Sequence, residues 1–393
     1  MNIIFLSLVS IRTIEERGIY QDLLREFVKA GHYVRIVSAA PGEPTRDIRR
    51  DGYGILQVDV PRMQKTSLIR KGIASLRIGP VLRRAIARHC GDEHYDLILL
   101  ATPPITLVGT VGWLKRRDGA KVYLMLKDIW PQAIADLGAI SQNGPIYRYY
   151  RSKEKALYSL ADRIGCMSAA NVRYLLEHHP QIDPARVEIC PNSEEPVELP
   201  APGGRAAVRE RYGIPQDKTV FLYGGNLGRP QGVPFLIECL RRCADMEEAF
   251  FVVCGTGTEY PKLEAYAAAE RPKDLLLLSG LPREGYEELA SACDVGLLFL
   301  DYRFTIPNFP SRLLSYLQMA MPVIACTDPS TDVGDIAVEG GFGWKCLSND
   351  ADAFAQTVTR ACRADRAAMG AAARAYLLAH YTAERSCRII LGK

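Results

Sequence analysis

The sequence has no long apolar run, no paired cysteines and no strong net charge. No uninterrupted apolar segment reaches the eighteen or so residues that a spanning helix needs, so no membrane span is expected. The eleven cysteines form no Cys-x-x-Cys pair. Cys239 and Cys243 stand four apart, but no histidine or second pair completes a zinc set; all are read as reduced thiols of a cytoplasmic protein. No Gly-Lys-[Ser/Thr], His-Glu-x-x-His or Gly-x-Ser-x-Gly occurs, which argues against a P-loop, a zinc protease and a serine-hydrolase elbow. None of His32, His89, His94, His178, His179 and His380 lies beside a nucleophile at a strand end, and no metal site is expected. The net charge of +4 is too small to imply a nucleic-acid partner. The opening Met1–Leu6 has no basic n-region and reads as a first strand, not a signal peptide.

What is present is the composition of a globular protein with a large core, 48% hydrophobic and 24% charged over 393 residues, a length that suits two domains. Short apolar runs alternate with helix-period segments. Ile3–Leu6, Tyr33–Val37, Leu97–Leu100 and Val122–Leu126 read as strands, and Ile19–Lys29 as a helix with Gly31 just past its end. The alternation restarts with Thr219–Tyr223, Phe250–Cys254, Leu275–Leu278, Val295–Phe299 and Val323–Ala325. Between the two sets runs a loop-rich stretch from Pro191 to about Gly213, with Pro196, Pro200 and Pro202; an Ala-rich helical segment from Ala353 to His380 closes the chain. The fold class is therefore α/β, two doubly wound domains in tandem. Ligands of such sheets bind at the carboxyl ends of the strands, so the loops there are where chemistry is sought.

Four loops qualify. Gly224-Gly225-Asn226-Leu227-Gly228-Arg229-Pro230-Gln231-Gly232 lies between a strand and a helix, where backbone N–H groups can approach an anion; a tight turn reads the same way. Cys254-Gly255-Thr256-Gly257 follows a neighbouring strand and by itself reads as a structural turn. Phe309-Pro310-Ser311-Arg312 opens a helix, with Ser311 as the expected N-cap and Arg312 in the first turn, an arrangement suited to a diphosphate or to a plain capped helix. Lys127-Asp128-Ile129-Trp130-Pro131 ends the last clear strand of the first half; its charged pair suits a polar substrate or a salt bridge that anchors the loop.

In order and spacing these residues resemble the GT-B glycosyltransferases of family 4, in particular the bacterial capsule and O-antigen, fucosaminyltransferase-like branch. The resemblance runs through Arg17-Gly18-Ile19-Tyr20, Lys127–Pro131, Pro191-Asn192, Gly225–Gly228 with Gln231-Gly232, Gly255-x-Gly257, and Phe309–Leu314 before Pro322-Val323-Ile324-Ala325. It implies two Rossmann-like domains facing across a cleft: an acceptor-binding domain over 1–192, a nucleotide-sugar-binding domain over 193–375, and a segment over 376–393 that packs back on the first. It implies retaining, metal-independent hexosyl or N-acetylhexosaminyl transfer from a nucleotide sugar, usually UDP-linked, with no cofactor. Asp128, Lys127 and Arg312 become the expected catalytic residues. Gly225, Asn226, Leu227, Gly228, Arg229, Gln231, Gly255, Gly257, Phe309, Pro310, Ser311, Arg312 and Ser315 are expected on the donor, Gly18 and Trp130 on the acceptor. The chain departs from the wider family where two glutamates usually stand, here Pro307 and Ser315. It departs again where an Arg and a Lys flank the glycine loop, here Asn226 and Gln231, and where a histidine often follows the strand that here ends in Lys127-Asp128.

The stretch Arg62–Arg88 mixes Arg62, Lys65, Arg70, Lys71, Arg77, Arg83, Arg84 and Arg88 with apolar residues and carries no acid. It reads as a solvated helix face or as a surface for an anionic membrane. With the resemblance it implies a cytoplasmic enzyme, peripheral on the inner face of the plasma membrane, with a lipid-linked or oligosaccharide acceptor. A sugar-nucleotide 2-epimerase and a catalytically silent sugar-nucleotide-binding subunit are the alternative readings.

Overall fold

The structure, a computed structural model, describes residues 1–61, 68–199 and 204–393. The chain forms two compact units. Unit 1 is Met1–Glu195 with Ala383–Lys393, and unit 2 is Pro196–Thr382. The junction thus falls three residues past the expected one, and the returning segment starts at Ala383 instead of 376, because residues 376–382 stay with unit 2. Pro200 and Pro202 of the expected boundary lie outside the described residues.

Unit 1 carries strands β1 (Asn2–Ser7), β2 (Tyr33–Ala39), β3 (Arg46–Arg50), β4 (Tyr53–Val58), β5 (Leu97–Ala101), β6 (Lys121–Leu126), β7 (Arg163–Cys166) and β8 (Val187–Ile189). They form one sheet in the order β3-β4-β2-β1-β5-β6-β7-β8. Every pair is parallel except β3 with β4. Ile3–Leu6 and Leu97–Leu100 are buried throughout, the pattern of strands covered on both faces. β3 reads Arg-Asp-Ile-Arg-Arg and is largely exposed; a charged edge strand resists pairing with another chain. Its helices are α1 (Ile19–Lys29), α2 (Leu68–His89), α3 (Val108–Asp118), α4 (Gln132–Asp136), α5 (Pro145–Leu160) and α6 (Ala169–His178).

α1 buries Leu23, Leu24 and Phe27. It ends as its sequence foretold. Gly31 takes φ 80°, its N–H donates to Val28 O at 2.9 Å, and His32 N–H donates to Phe27 O at 3.1 Å. This is a Schellman closure with glycine at the left-handed position.

Unit 2 carries α7 (Arg205–Tyr212), β9 (Thr219–Asn226), α8 (Val233–Arg242), β10 (Ala249–Thr256), α9 (Tyr260–Glu270), β11 (Leu275–Leu278), α10 (Arg283–Ser291), β12 (Val295–Phe299), α11 (Arg312–Gln318), β13 (Val323–Thr327), α12 (Val333–Glu339), β14 (Gly343–Leu347), α13 (Ala351–Arg363) and α14 (Arg366–His380). The sheet order β11-β10-β9-β12-β13-β14 is that of a Rossmann fold, all parallel, with its strand reversal between β9 and β12. The returning helix α15 (Ala383–Leu391) packs on α1, and Ala383 N–H donates to Glu194 O at 3.1 Å.

Some expectations need correction. The strands at 46–50, 53–58, 163–166, 187–189 and 343–347 went unread: the first is charged, the third and fourth are short and the last is half-exposed, whereas 53–58 is buried throughout. The stretch to Gly213 contains a helix, α7, and Gly213 is its left-handed C-terminal residue. The Ala-rich segment is two helices, since Ala364 is extended and Asp365 caps the second by accepting from Ala368 N–H at 3.0 Å.

Candidate active site

In unit 2 the two glycine loops leave adjacent strands and lean on each other. β9 and β10 stay paired to their last residues, Gly225 opposite Gly255 and Asn226 opposite Thr256. A Cβ on Gly255 would run into Gly225 O, and one on Gly257 into Leu227 O. These two glycines are thus required by the close approach of two backbones, whatever they bind. Leu227 N–H donates to Thr256 O at 2.8 Å and Gly228 N–H to the Gln231 side-chain oxygen at 3.0 Å. Two of the amides expected to meet an anion are therefore spent inside the protein. Leu227 itself is fully buried in the core. Asn226 Nδ2 also donates to Gln231 Oε1, at 3.1 Å. Asn226 and Gln231 thus pair with each other and brace the loop. A short 3-10 turn, Arg229–Gln231, precedes α8, and the side chain of Arg229 is exposed.

Arg312 reaches this loop. Its Nη2 donates to Asn226 O at 3.3 Å, and its guanidinium carbon lies 4.3 Å from the centre of the Tyr223 ring. Nη1 is enclosed and makes no hydrogen bond among the described residues. Ser311, expected as the N-cap, is in helical conformation and makes no side-chain capping bond. Without extended dihedrals its hydroxyl is not aimed at the N–H groups of the first turn. Ser315 pairs with the hydroxyl of Tyr286, whose pKa burial pushes up to about 12. Phe309 is half-buried and packs 6.2 Å from Tyr381; Pro310 O accepts from Leu313 N–H at 3.2 Å, closing the turn into α11.

Tyrosines are what the motif reading missed. Tyr316 accepts from Gly224 N–H at 3.1 Å and shares its own hydrogen between Leu222 O and Leu297 O, each at 3.1 Å. It thereby ties α11 to the strands beside the glycine loop. Its i+4 spacing from Arg312 was the available signal.

In unit 1 the pair Lys127-Asp128 follows β6. Thr102, at the end of β5, organises it: the hydroxyl donates to Asp128 O at 3.0 Å and accepts from Lys127 N–H at 3.1 Å. The Asp128 carboxyl is pushed up to about 6 by surrounding protein, partly offset by Lys127, although solvent reaches the residue. The Lys127 ammonium is pulled down to about 8 by burial, offset first by Cys190 and then by Asp128. Tyr20 joins them from α1, its hydroxyl raised to about 12 by burial and by the Asp128 charge. A narrow crevice beside Lys127 is lined by Tyr20, Met125, Cys190, Ser193 and Ser386, the last contributed by α15. Trp130 meets Tyr150 edge-on at 6.0 Å. Gly18, expected on the acceptor, has its N–H bound to Asp22 Oδ1 at 3.0 Å, so that amide is occupied by the start of α1. Thr102 and Tyr20 were legible only as a strand-end threonine and as part of a motif.

The fold and these loops define a two-domain GT-B glycosyltransferase. Residues 19–193 match the glycosyl transferase 4-like domain, and residues 204–376 match the glycosyl transferases group 1 family. The chain is a glycosyltransferase made of these two family domains. It is 25% identical to the probable glycosyltransferase WbjE of Pseudomonas aeruginosa over 82% of this chain and 79% of the relative. It is 22% identical to the putative colanic acid biosynthesis glycosyl transferase WcaI of Escherichia coli K12, over 81% of each. Among solved structures, Anabaena Alr3699/HepE in complex with UDP and glucose shares the fold, with a TM-score of 0.69 and 14% identity over 100% of this chain and 98% of that one.

Proposed function

We propose that the chain transfers a sugar, with retention and without a metal, from a UDP-linked donor held by unit 2 to a lipid-linked cell-envelope acceptor held by unit 1. The observation that carries the donor side is Arg312, a cation fastened to the glycine loop with an enclosed, unpartnered Nη1. Buried polar hydrogens without partners are costly, so an anion there is strongly favoured. As the sugar–diphosphate bond breaks, negative charge grows on the departing phosphate, and a fixed guanidinium binds it more tightly in the transition state than before. On the acceptor side, Asp128 is mostly ionised at neutral pH and orients the acceptor by accepting a hydrogen bond from a hydroxyl next to the attacking one, which leaves the attacking hydroxyl's own proton to the phosphate. The proton ends on the leaving phosphate. The choice of UDP is supported by the family resemblance, and that of a cell-envelope precursor by the resemblance and by the relative WcaI, whose name gives colanic acid biosynthesis. The test is a panel of nucleotide sugars read by thermal shift, followed by nucleotide release with and without lipid-linked acceptor. Binding of a UDP-sugar with acceptor-dependent UDP release is expected. Conversion of UDP-N-acetylglucosamine with no acceptor present would establish the epimerase instead.

The membrane side of the proposal draws on unit 1. α3 packs against both α2 and α5. Arg77, Arg83, Arg84 and Arg88 of α2 and Arg116 of α3 are exposed, as are Arg148 and Lys155 of α5. The acids on α3 and α5, Asp118 and Glu154, are buried and paired with Arg117 and Arg151. Leu76 and Ile146 are exposed apolar residues on the same helices. Arg62 and Lys65 lie outside the described residues, as do the side chains of Arg70 and Lys71. No helix among the described residues is long and apolar enough to cross a membrane. Each basic residue near an anionic surface contributes about 1 kcal/mol. Replacing Arg83, Arg84 and Arg88 by Glu should abolish co-sedimentation with phosphatidylglycerol-rich vesicles; undiminished sedimentation would reduce the charges to a solvated face.

A further inference from the structure

We propose that Tyr223 is a positioning residue for donor binding, its ring serving as a platform that aims the Arg312 guanidinium without neutralising it. The proposal rests on the reading that Arg312 meets the donor diphosphate. Arginine is long and flexible, and a free one would sample many rotamers before finding a phosphate. Here two contacts hold it, and a third ties their partners together. The guanidinium carbon sits 4.3 Å from the ring centre, within range of a cation–π interaction. Arg312 Nη2 donates to Asn226 O at 3.3 Å, and the Tyr223 hydroxyl donates to the same oxygen at 2.8 Å. Tyr223 itself is fully buried within β9 and packed against Phe299, so the platform is held by the core.

The chemistry of the platform matters as much as its rigidity. Arginines held in place are usually held by a carboxylate, which cancels the charge they would offer a ligand. No carboxylate pairs with Arg312 among the described residues, and Nη1 remains without a hydrogen-bond partner. An aromatic face fixes the plane of the guanidinium while leaving its full charge for an anion. In this chain the positions beside the loop hold the neutral pair Asn226 and Gln231, bound to each other. The burden of orienting a cation then falls on Arg312 and the ring beneath it.

The experiment is a double-mutant cycle on the full chain, read by calorimetric titration. The probe is whichever of UDP, GDP, ADP, CDP and dTDP the wild type binds, with its nucleoside as a second probe. Tyr223→Phe keeps the face and should bind within about twofold of wild type. Tyr223→Leu should weaken the diphosphate about threefold to tenfold and leave the nucleoside unchanged. In an Arg312→Ala background Tyr223→Leu should cost nothing further, because its effect passes through the arginine. Equal losses for nucleoside and diphosphate, or the same increment in both backgrounds, would overturn the platform and leave a plain core tyrosine. Wild-type affinity in Arg312→Ala alone would instead remove the donor reading and the platform with it. Should Tyr223→Leu fail to fold, Tyr223→Met, unbranched and apolar, serves the same cycle.

Discussion

Both units wind parallel strands with helices, but their strand ends are equipped differently. In unit 1 β6 ends in Lys127-Asp128, two titrating groups that burial draws toward neutrality, to about 8 and about 6. In unit 2 β9 and β10 end in Gly-Gly-Asn and Gly-Thr, the next amides are engaged within these loops, and the charge comes from Arg312 over a tyrosine. On the proposed function, one unit handles a proton and a hydroxyl and the other holds an anion. The same winding scheme supports both, because the sheet only fixes where loops emerge and the loop residues decide what they do there.

The sharpest way to break this contrast is Asp128→Asn. The proposal expects kcat to fall about a hundredfold or more, within the range of a lost acid–base or hydroxyl-orienting group, with affinity for the nucleoside diphosphate unchanged. The pH profile sharpens it. Asp128 must be ionised, so activity should fall as pH drops through about 6. The expected role of Lys127 at the acceptor needs its ammonium charge, so activity should fall again as pH rises through about 8, with Asp128 still ionised. Both limbs belong to the coupled pair, and Asp128→Asn should remove the acidic one. An acidic limb that survives in Asp128→Asn would move the titrating group elsewhere.

Arg312→Ala comes next, lowering kcat/KM about tenfold to a hundredfold, since a charge-assisted bond to phosphate is worth roughly 1.5–3 kcal/mol. Arg312→Lys should recover part of the loss, keeping the charge but not the planar fork. A lower Tm with unchanged kcat/KM would make Arg312 a structural residue and erase the distinction between the units.

Ser315→Ala should have the smallest effect, under about threefold in KM, because its hydroxyl is already engaged by Tyr286. A loss approaching that of Arg312→Ala would show that the hydroxyl leaves Tyr286 for the donor, restoring the donor contact expected from its position.

Much of this architecture is legible along the chain. The apolar runs of β1, β5, β6, β9, β10, β12 and β13 announce themselves because strands buried on both faces have no room for polar residues. Gly31 announces the end of α1 because a left-handed residue there disfavours a side chain. β3 and β8 do not announce themselves, being an edge strand of charges and a three-residue strand. The motif residues lie in the loops read for them, but several are already engaged within the protein. Asn226, Gln231 and Gly228 bond one another, Ser311 does not cap, and the Gly18 amide belongs to Asp22.

By itself, then, the sequence determined two α/β halves, the loops at their strand ends where the motifs lie, and the family those motifs belong to. These follow from periodicity and from short spacings, both of which are local along the chain. Tertiary structure alone decided which polar groups are already satisfied and which are left over. Tyr223 and Arg312 are far apart in sequence and 4.3 Å apart in space, and Thr102 reaches across 26 residues to Asp128. A hydrogen bond is consumed or spared by whatever folding brings within about 3 Å of it, and spacing along the chain does not encode that distance.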